Sequence, residues 1–221
     1  MSASHFDTAA ATWDAEPRRI ALMRAVGQTI LREVGPTKDM DVLDYGCGTG
    51  LIGLFLLPHV RSVTGADSSP GMLEVLRKKL IEGGLETMSA VHLDLERDPI
   101  PNERYHLLVT SMTLHHIADT DRVLGAFHDL LVSGGILCIA DLDSEPGVFH
   151  TPEAAPSVRH HGFDRGALKG QLCRIGFREV RDVTAHTIRR RVEGGEERDF
   201  PVFLVTARAG ARTLRVRGIG G

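Results

Sequence analysis

The sequence predicts an α/β domain in which a doubly wound, mostly parallel sheet carries helices on both faces, and three observations lead there. Apolar runs of strand length alternate with stretches of helical periodicity. A glycine-rich turn directly follows the first of those runs. The last two strand-like runs meet across Gly194-Gly195, as the arms of an antiparallel hairpin do.

In chain order, Ile20, Met23, Val26, Ile30, Leu31 and Val34 recur at helical spacing, and Gly35-Pro36 ends that helix. The first strand is Asp41 to Tyr45, followed by a glycine loop and a helix around Gly50 to Leu57. A second strand near Val60 to Ala66 leads to a helix from about Pro70 to Ile81, and a third strand lies near Ala90 to Leu93. The fourth and fifth strands are Tyr105 to Thr110 and Gly135 to Ala140, with a helix over Asp121 to Leu131 between them. Then the pattern breaks: Glu145 to Gly162 is polar and rich in Pro and His. A helix near Asp164 to Ile175 and the runs Glu179 to Arg191 and Phe200 to Ala207 complete a seven-stranded sheet. Residues 1–207 are expected to form one domain, with 1–35 as an N-terminal helical lid, 145–162 as a substrate cap and 208–221 as a loose tail.

The composition narrows the function. With 42% hydrophobic and 25% charged residues in 221, the chain matches an ordinary globular domain. Its longest apolar run, Leu51 to Leu57, falls far short of the ~20 residues that span a bilayer. Met1 to Asp14 holds Asp7 and Asp14 and no signal-peptide pattern, so a cytoplasmic protein without a membrane partner is expected. Cys47, Cys138 and Cys173 form no Cys-x-x-Cys pair. Residues 157–221 hold 14 Lys and Arg against 7 Asp and Glu, the remainder 12 against 22. That bias could serve a nucleic acid or an anionic substrate, but Arg189, Arg190 and Arg191 face Glu196 and Glu197 across the last turn, as cross-strand ion pairs would. With aromatics at 5%, base stacking has little to work with, so nucleic acid is disfavoured as a partner.

The glycine loop holds the clearest chemical signal. Val42-Leu43-Asp44-Tyr45-Gly46-Cys47-Gly48-Thr49-Gly50 ends a strand with three alternate glycines before a helix, so the backbone can turn tightly and approach a nucleotide-like ligand. Gly48-Thr49-Gly50-Leu51-Ile52-Gly53 also satisfies the dinucleotide fingerprint, but the series starts at Gly46, and Asp44 precedes it by two positions. Asp67, at the end of the second strand, is placed to accept from both hydroxyls of a ribose, or to cap the next helix with Ser68 or Ser69.

Asp44-x-Gly46-x-Gly48-x-Gly50 resembles the first signature of class I S-adenosylmethionine-dependent methyltransferases, a family with a Rossmann-like fold. Asp67-Ser68-Ser69-Pro70-Gly71-Met72 is similar to that family's next motif, and His92-Leu93-Asp94-Leu95-Glu96 to its adenine-recognition segment. The resemblance implies a cofactor site made by Trp13, Gly46, Cys47, Gly48, Asp67, Ser68, Met72, Asp94, Leu95 and Ser111, with S-adenosyl-L-methionine bound and S-adenosyl-L-homocysteine released. In it, Asp94 would meet the exocyclic amine of adenine and the Leu95 amide its ring. The histidine-bearing loop after the fourth strand, Leu114-His115-His116-Ile117, also follows the family's spacing. Here relatives often place tyrosines where this chain has Phe6 and Trp13.

The implied chemistry is in-line displacement of a methyl group from sulfonium to an O, N, S or C nucleophile of a small-molecule acceptor, by a monomer or homodimer. His115 and His116 are the candidate catalytic residues, as bases for a nucleophile that ionises. His115, His116, His150, His160 and His161 could gather with Asp141 or Asp143 around a metal. Neighbouring side chains diverge on a strand or helix, however, so no metal is expected. Rival readings are an NAD-dependent oxidoreductase, a nucleic-acid or protein methyltransferase, and a cofactor-binding protein without catalysis.

Overall fold

A computed structural model describes residues 3–152, 154–192 and 195–211. Seven strands form one sheet in the order β3-β2-β1-β4-β5-β7-β6. They are β1 Asp41–Tyr45, β2 Ser62–Asp67, β3 Met88–His92, β4 Tyr105–Ser111, β5 Leu131–Leu142, β6 Phe177–Arg191 and β7 Glu197–Ala209. The first five run parallel, and β7 inserts antiparallel between β5 and β6. β1 pairs with β2 on one side and β4 on the other, so chain order reverses beside it and opens a crevice at its C-terminal end.

Six helices flank the sheet: α1 Ala3–Ala9, α2 Pro17–Val34, α3 Leu51–Leu56, α4 Pro70–Gly83, α5 Thr120–Leu130 and α6 Arg165–Ile175. Strand alternation divides the core in two. Val42, Leu107 and Cys138 pack with Val26, Ile30, Leu56 and Leu73 from α2, α3 and α4. Their neighbours Leu43, Leu108 and Leu137 pack with Leu124, Phe127, Leu168 and Leu172 from α5 and α6. Helix ends follow the expected chemistry. Ser69 accepts from the Met72 amide at 3.2 Å, Asp119 from Arg122 at 2.9 Å and Asp164 from Ala167 at 2.7 Å. Left-handed Gly35 and Gly84 close α2 and α4.

The predicted elements are present, with β1 as expected, β2 shifted to Ser62–Asp67 and the later strands extended. β5 begins at Leu131, four residues ahead of the expected Gly135, and β7 runs to Ala209. The hairpin pairs Arg189 with Asp199 and Arg191 with Glu197, while Arg190 stands opposite Arg198. Its turn at Gly194 and the tail from 212 lie outside the described residues. Among the described residues no helix is long and apolar enough to cross a membrane.

Candidate functional site

A cavity of about 570 Å³ opens at the C-terminal end of β1 and β4. Its floor is the glycine loop with Asp67, Met72 and Ser111, its roof Phe6 and Trp13, and its far wall His115, His116, Phe149, His150 and the β6 residues His186–Arg190. Three segments that interrupt the strand-helix alternation thus meet over one crevice: the N-terminal helices, the loop after β4, and the 145–162 insertion.

The three glycines of the loop all have positive φ but play different parts. A methyl group on Gly46 would strike the Thr113 side chain at 2.3 Å, and one on Gly50 would strike Leu76 Cδ1 at 2.4 Å. At Gly48 the nearest atoms, Met72 Sδ and Trp13 Nε1, stand 3.9 and 4.0 Å away. Gly46 and Gly50 therefore pack the loop, whereas Gly48 faces open space that a ligand can fill. The loop is tied to β2 through Asp67, whose carboxylate accepts from the Gly48 amide at 2.8 Å and the Ser69 amide at 2.8 Å. Burial raises the Asp67 carboxyl above its ordinary value, against the pull of those hydrogen bonds. Asp44 lies beneath, fully buried, accepting from the Gly53 amide at 3.0 Å, and burial lifts it to about 7.

Two acids with no predicted site role hold the N-terminal roof in place. Asp7 accepts from Ser69 Oγ at 2.5 Å and the Gly71 amide at 2.8 Å, and Asp14 accepts from Thr49 Oγ1 at 2.6 Å and pairs with Lys79. Trp13 is covered on one face by the Arg19 guanidinium, 3.8 Å from the ring centroid, and Phe6 meets both Trp13 and His116 edge-on. Only their position N-terminal to the glycine loop could have flagged these acids.

The far wall is built from histidines. Leu114–His116 is a single 3-10 turn, and the rings of His115 and His116 lie with centroids 4.0 Å apart. The expectation that neighbouring histidines diverge fails here because each ring is anchored separately. His115 Nδ1 lies 2.7 Å from Asp141 Oδ1, and His116 Nδ1 lies 2.9 Å from the Ser157 carbonyl. Asp141, fully buried at the end of β5, also accepts from the Leu142 and His115 amides. Burial alone would raise its carboxyl, but the His115 charge and these hydrogen bonds bring it below its ordinary value. His150, from the insertion, places Nε2 3.2 Å from His115 Nε2. Burial, helped by His115, lowers His116 to about 3 and His150 to about 4, so both rings are neutral at physiological pH.

Of the residues expected to bind cofactor, Trp13, Gly46, Cys47, Gly48, Asp67, Met72 and Ser111 line the cavity; Ser68, Asp94 and Leu95 do not. Asp94 turns back onto its own loop, accepting from the Glu96 amide at 3.0 Å, and the Leu95 amide donates to Tyr45 Oη at 3.1 Å. The other three polar candidates are elsewhere: His160 bonds the Ile117 carbonyl, His161 faces Glu145, and Asp143 pairs with Arg165.

Residues 42–135 match a family model described as a methyltransferase domain. An uncharacterized methyltransferase of Schizosaccharomyces pombe is 33% identical over 135 residues, 56% of this chain and 48% of that one. A ubiquinone biosynthesis O-methyltransferase of Dinoroseobacter shibae is 32% identical over 119 residues, 54% of this chain and 48% of the relative. The chain thus spans about half the length of these curated relatives. A solved structure of a SAM-dependent methyltransferase from Aquifex aeolicus superposes with a TM-score of 0.67 at 18% identity, covering 95% of this chain and 99% of that one. The glycine loop and the family match place a methyltransferase domain over residues 42–135, and the sheet has the Rossmann-like fold of the solved S-adenosylmethionine-dependent methyltransferases.

Proposed function

We propose that the protein transfers the methyl group of S-adenosylmethionine to an ionisable nucleophile of a small-molecule acceptor. The observation that carries this reading is one cavity with a ligand-facing glycine on its floor and a carboxylate-anchored histidine cluster on its wall. The cofactor, when bound, supplies a methyl group activated by its sulfonium. Gly48 leaves room for the amino-acid portion between Met72 and Trp13, and the lone pairs of Asp67 not used by backbone amides receive the ribose hydroxyls. Phe6 and Trp13 exclude water from above.

An acceptor seated against the wall hands its proton to His115, and the charge that develops there is balanced by Asp141 on the far ring nitrogen. The volume, within the ~300–1,000 Å³ of small-molecule sites, suits a cofactor beside a compact acceptor. Arg18, Arg19 and Arg190 on the same cavity favour an acceptor that carries negative charge. Calorimetry should show S-adenosylhomocysteine binding to the wild type. A panel of acidic phenols, thiols and amines incubated with methyl-labelled cofactor should show transfer that Asp141→Asn depresses more than it depresses cofactor binding. Failure to bind S-adenosylhomocysteine would end this reading.

A further inference from the structure

We propose that His115, His116 and His150 bind one divalent transition ion of the zinc type, with a coordination position left open toward the cavity. The three residues offer ring nitrogens that lie within 4.8 Å of one another. Two of them, His115 Nε2 and His150 Nε2, stand 3.2 Å apart. Imidazole nitrogens bind zinc at about 2.0–2.1 Å, which places two ligands of a tetrahedral ion about 3.3 Å apart. The observed pair is already at ligand spacing. His150 is half-buried, and its Nδ1 is buried without a partner.

The surroundings of the rings point the same way. A metal-binding imidazole gives its other nitrogen to a carboxylate or a carbonyl, which fixes the tautomer and aims the lone pair. His115 does this with Asp141 and His116 with the Ser157 carbonyl, so both present Nε2 as the free acceptor. Without an ion, the contact between two Nε2 atoms satisfies one lone pair at most, and His116 lines the same cavity. A cation satisfies three at once. The all-nitrogen donor set suits zinc, cobalt or copper, whereas magnesium and calcium require oxygen ligands. One buried carboxylate beside a divalent ion leaves a positive charge, which favours an anionic atom at the open position. If the proposed function holds, that atom is the acceptor's oxygen or sulfur, ionised near neutrality with its proton lost to solvent, and the metal replaces the histidines as the charge that stabilises it. This last step rests on that function; the metal site does not.

The test uses the untagged full chain, stripped with chelator and titrated with zinc ion in a calorimeter and with cobalt ion by visible absorption. One equivalent should bind, with a cobalt d–d band of a site of low coordination number. Asp141→Asn should weaken binding about 10- to 100-fold, the usual cost of losing such an outer partner. His116→Ala and His150→Ala should abolish it, and His161→Ala, at an exposed ring outside the cluster, should leave it unchanged. His150 lies on the insertion rather than in the core, so its variant decides the matter even where His116→Ala does not fold. Absence of stoichiometric binding in the wild type, or wild-type affinity in His150→Ala, overturns the proposal. Metal binding without methyl transfer to any acceptor would count against the function and leave the site standing. Transfer that survives both chelator and His150→Ala would do the reverse.

Discussion

The floor and the far wall of the cavity are made by opposite means. The floor is backbone: left-handed glycines, amide hydrogen bonds to Asp67, and residues within a short stretch of chain. The wall is side chain: His115 finds Asp141 26 positions away, His150 35 away, and His116 finds Ser157 41 away. A floor of that kind repeats as a motif because its geometry restricts each position to one or two residue types. A wall of that kind is free to vary with the acceptor, and its strength rests on a few buried polar contacts.

The contrast is broken most severely at Asp141. Removing Asp141 leaves His115 Nδ1 and the Leu142 and His115 amides buried without their acceptor, at a cost of about 1–3 kcal/mol for each such group. Asp141→Ala should lower the unfolding free energy by roughly that amount in chelator-containing buffer, and Asp141→Asn by much less, since it keeps an acceptor for the Leu142 amide. Equal denaturant midpoints for wild type and Asp141→Ala would mean the wall is not held by this residue.

Beneath the floor, Asp44 should make stability depend on pH. Its folded value of about 7 lies above the ordinary 3.8, so between those values the folded protein holds a proton that the unfolded chain has released. Stability from this group is therefore lost as pH rises from about 4 to 7, with a limiting slope of about 1.4 kcal/mol per pH unit. Asp44→Asn, which keeps an oxygen for the Gly53 amide, should flatten the curve and exceed the wild type above pH 7. Parallel curves for the two proteins, measured by urea unfolding at several pH values, would show that Asp44 is ionised throughout.

Gly48 sharpens the comparison on the floor itself. Gly48→Ala should cost only the left-handed backbone, about 1–2 kcal/mol, because its methyl group meets nothing closer than 3.9 Å, yet it should abolish S-adenosylhomocysteine binding. Gly46→Ala should instead disturb the fold through the clash with Thr113. If Gly48→Ala bound the ligand normally, the cradle would lie elsewhere.

The same division explains what could be read from the sequence. Strand alternation, caps such as Ser69 and Asp164, and the Gly46-Gly48-Gly50 loop are local patterns, and they appear where expected. The wall was legible only in part. His115 and His116 are legible as candidates, but the nearness of their rings depends on anchors contributed by β5 and the insertion. Asp7 and Asp14 were read only as evidence against a signal peptide, because their partners Ser69, Gly71 and Thr49 lie more than 30 residues away. Asp94 and Leu95 show another limit: the segment resembles the family's motif, but neither residue lines the cavity, and the Leu95 amide donates to Tyr45 Oη, a contact no motif records.

Trp13 joins floor to roof, and its loss should have the smallest effect on stability. Its ring is half-buried, with Arg19 stacked over it at 3.8 Å, an interaction worth about 0.5–1 kcal/mol at such a site. Trp13→Ala should therefore lower the unfolding free energy only slightly. The effect on binding should be larger, because Trp13 Nε1 stands 4.0 Å from where a Gly48 methyl would be, so a ligand lying on Gly48 touches the indole. Trp13 is the only tryptophan in the chain, which makes intrinsic emission a report on that contact alone. Saturating S-adenosylhomocysteine should shift or quench it, and Trp13→Ala should weaken ligand affinity by a greater factor than it lowers stability. The two readings separate cleanly: a Trp13 that merely anchors α2 would leave emission unmoved by ligand and cost stability and affinity in equal measure, whereas one that closes the cavity would couple its fluorescence to occupancy of the floor.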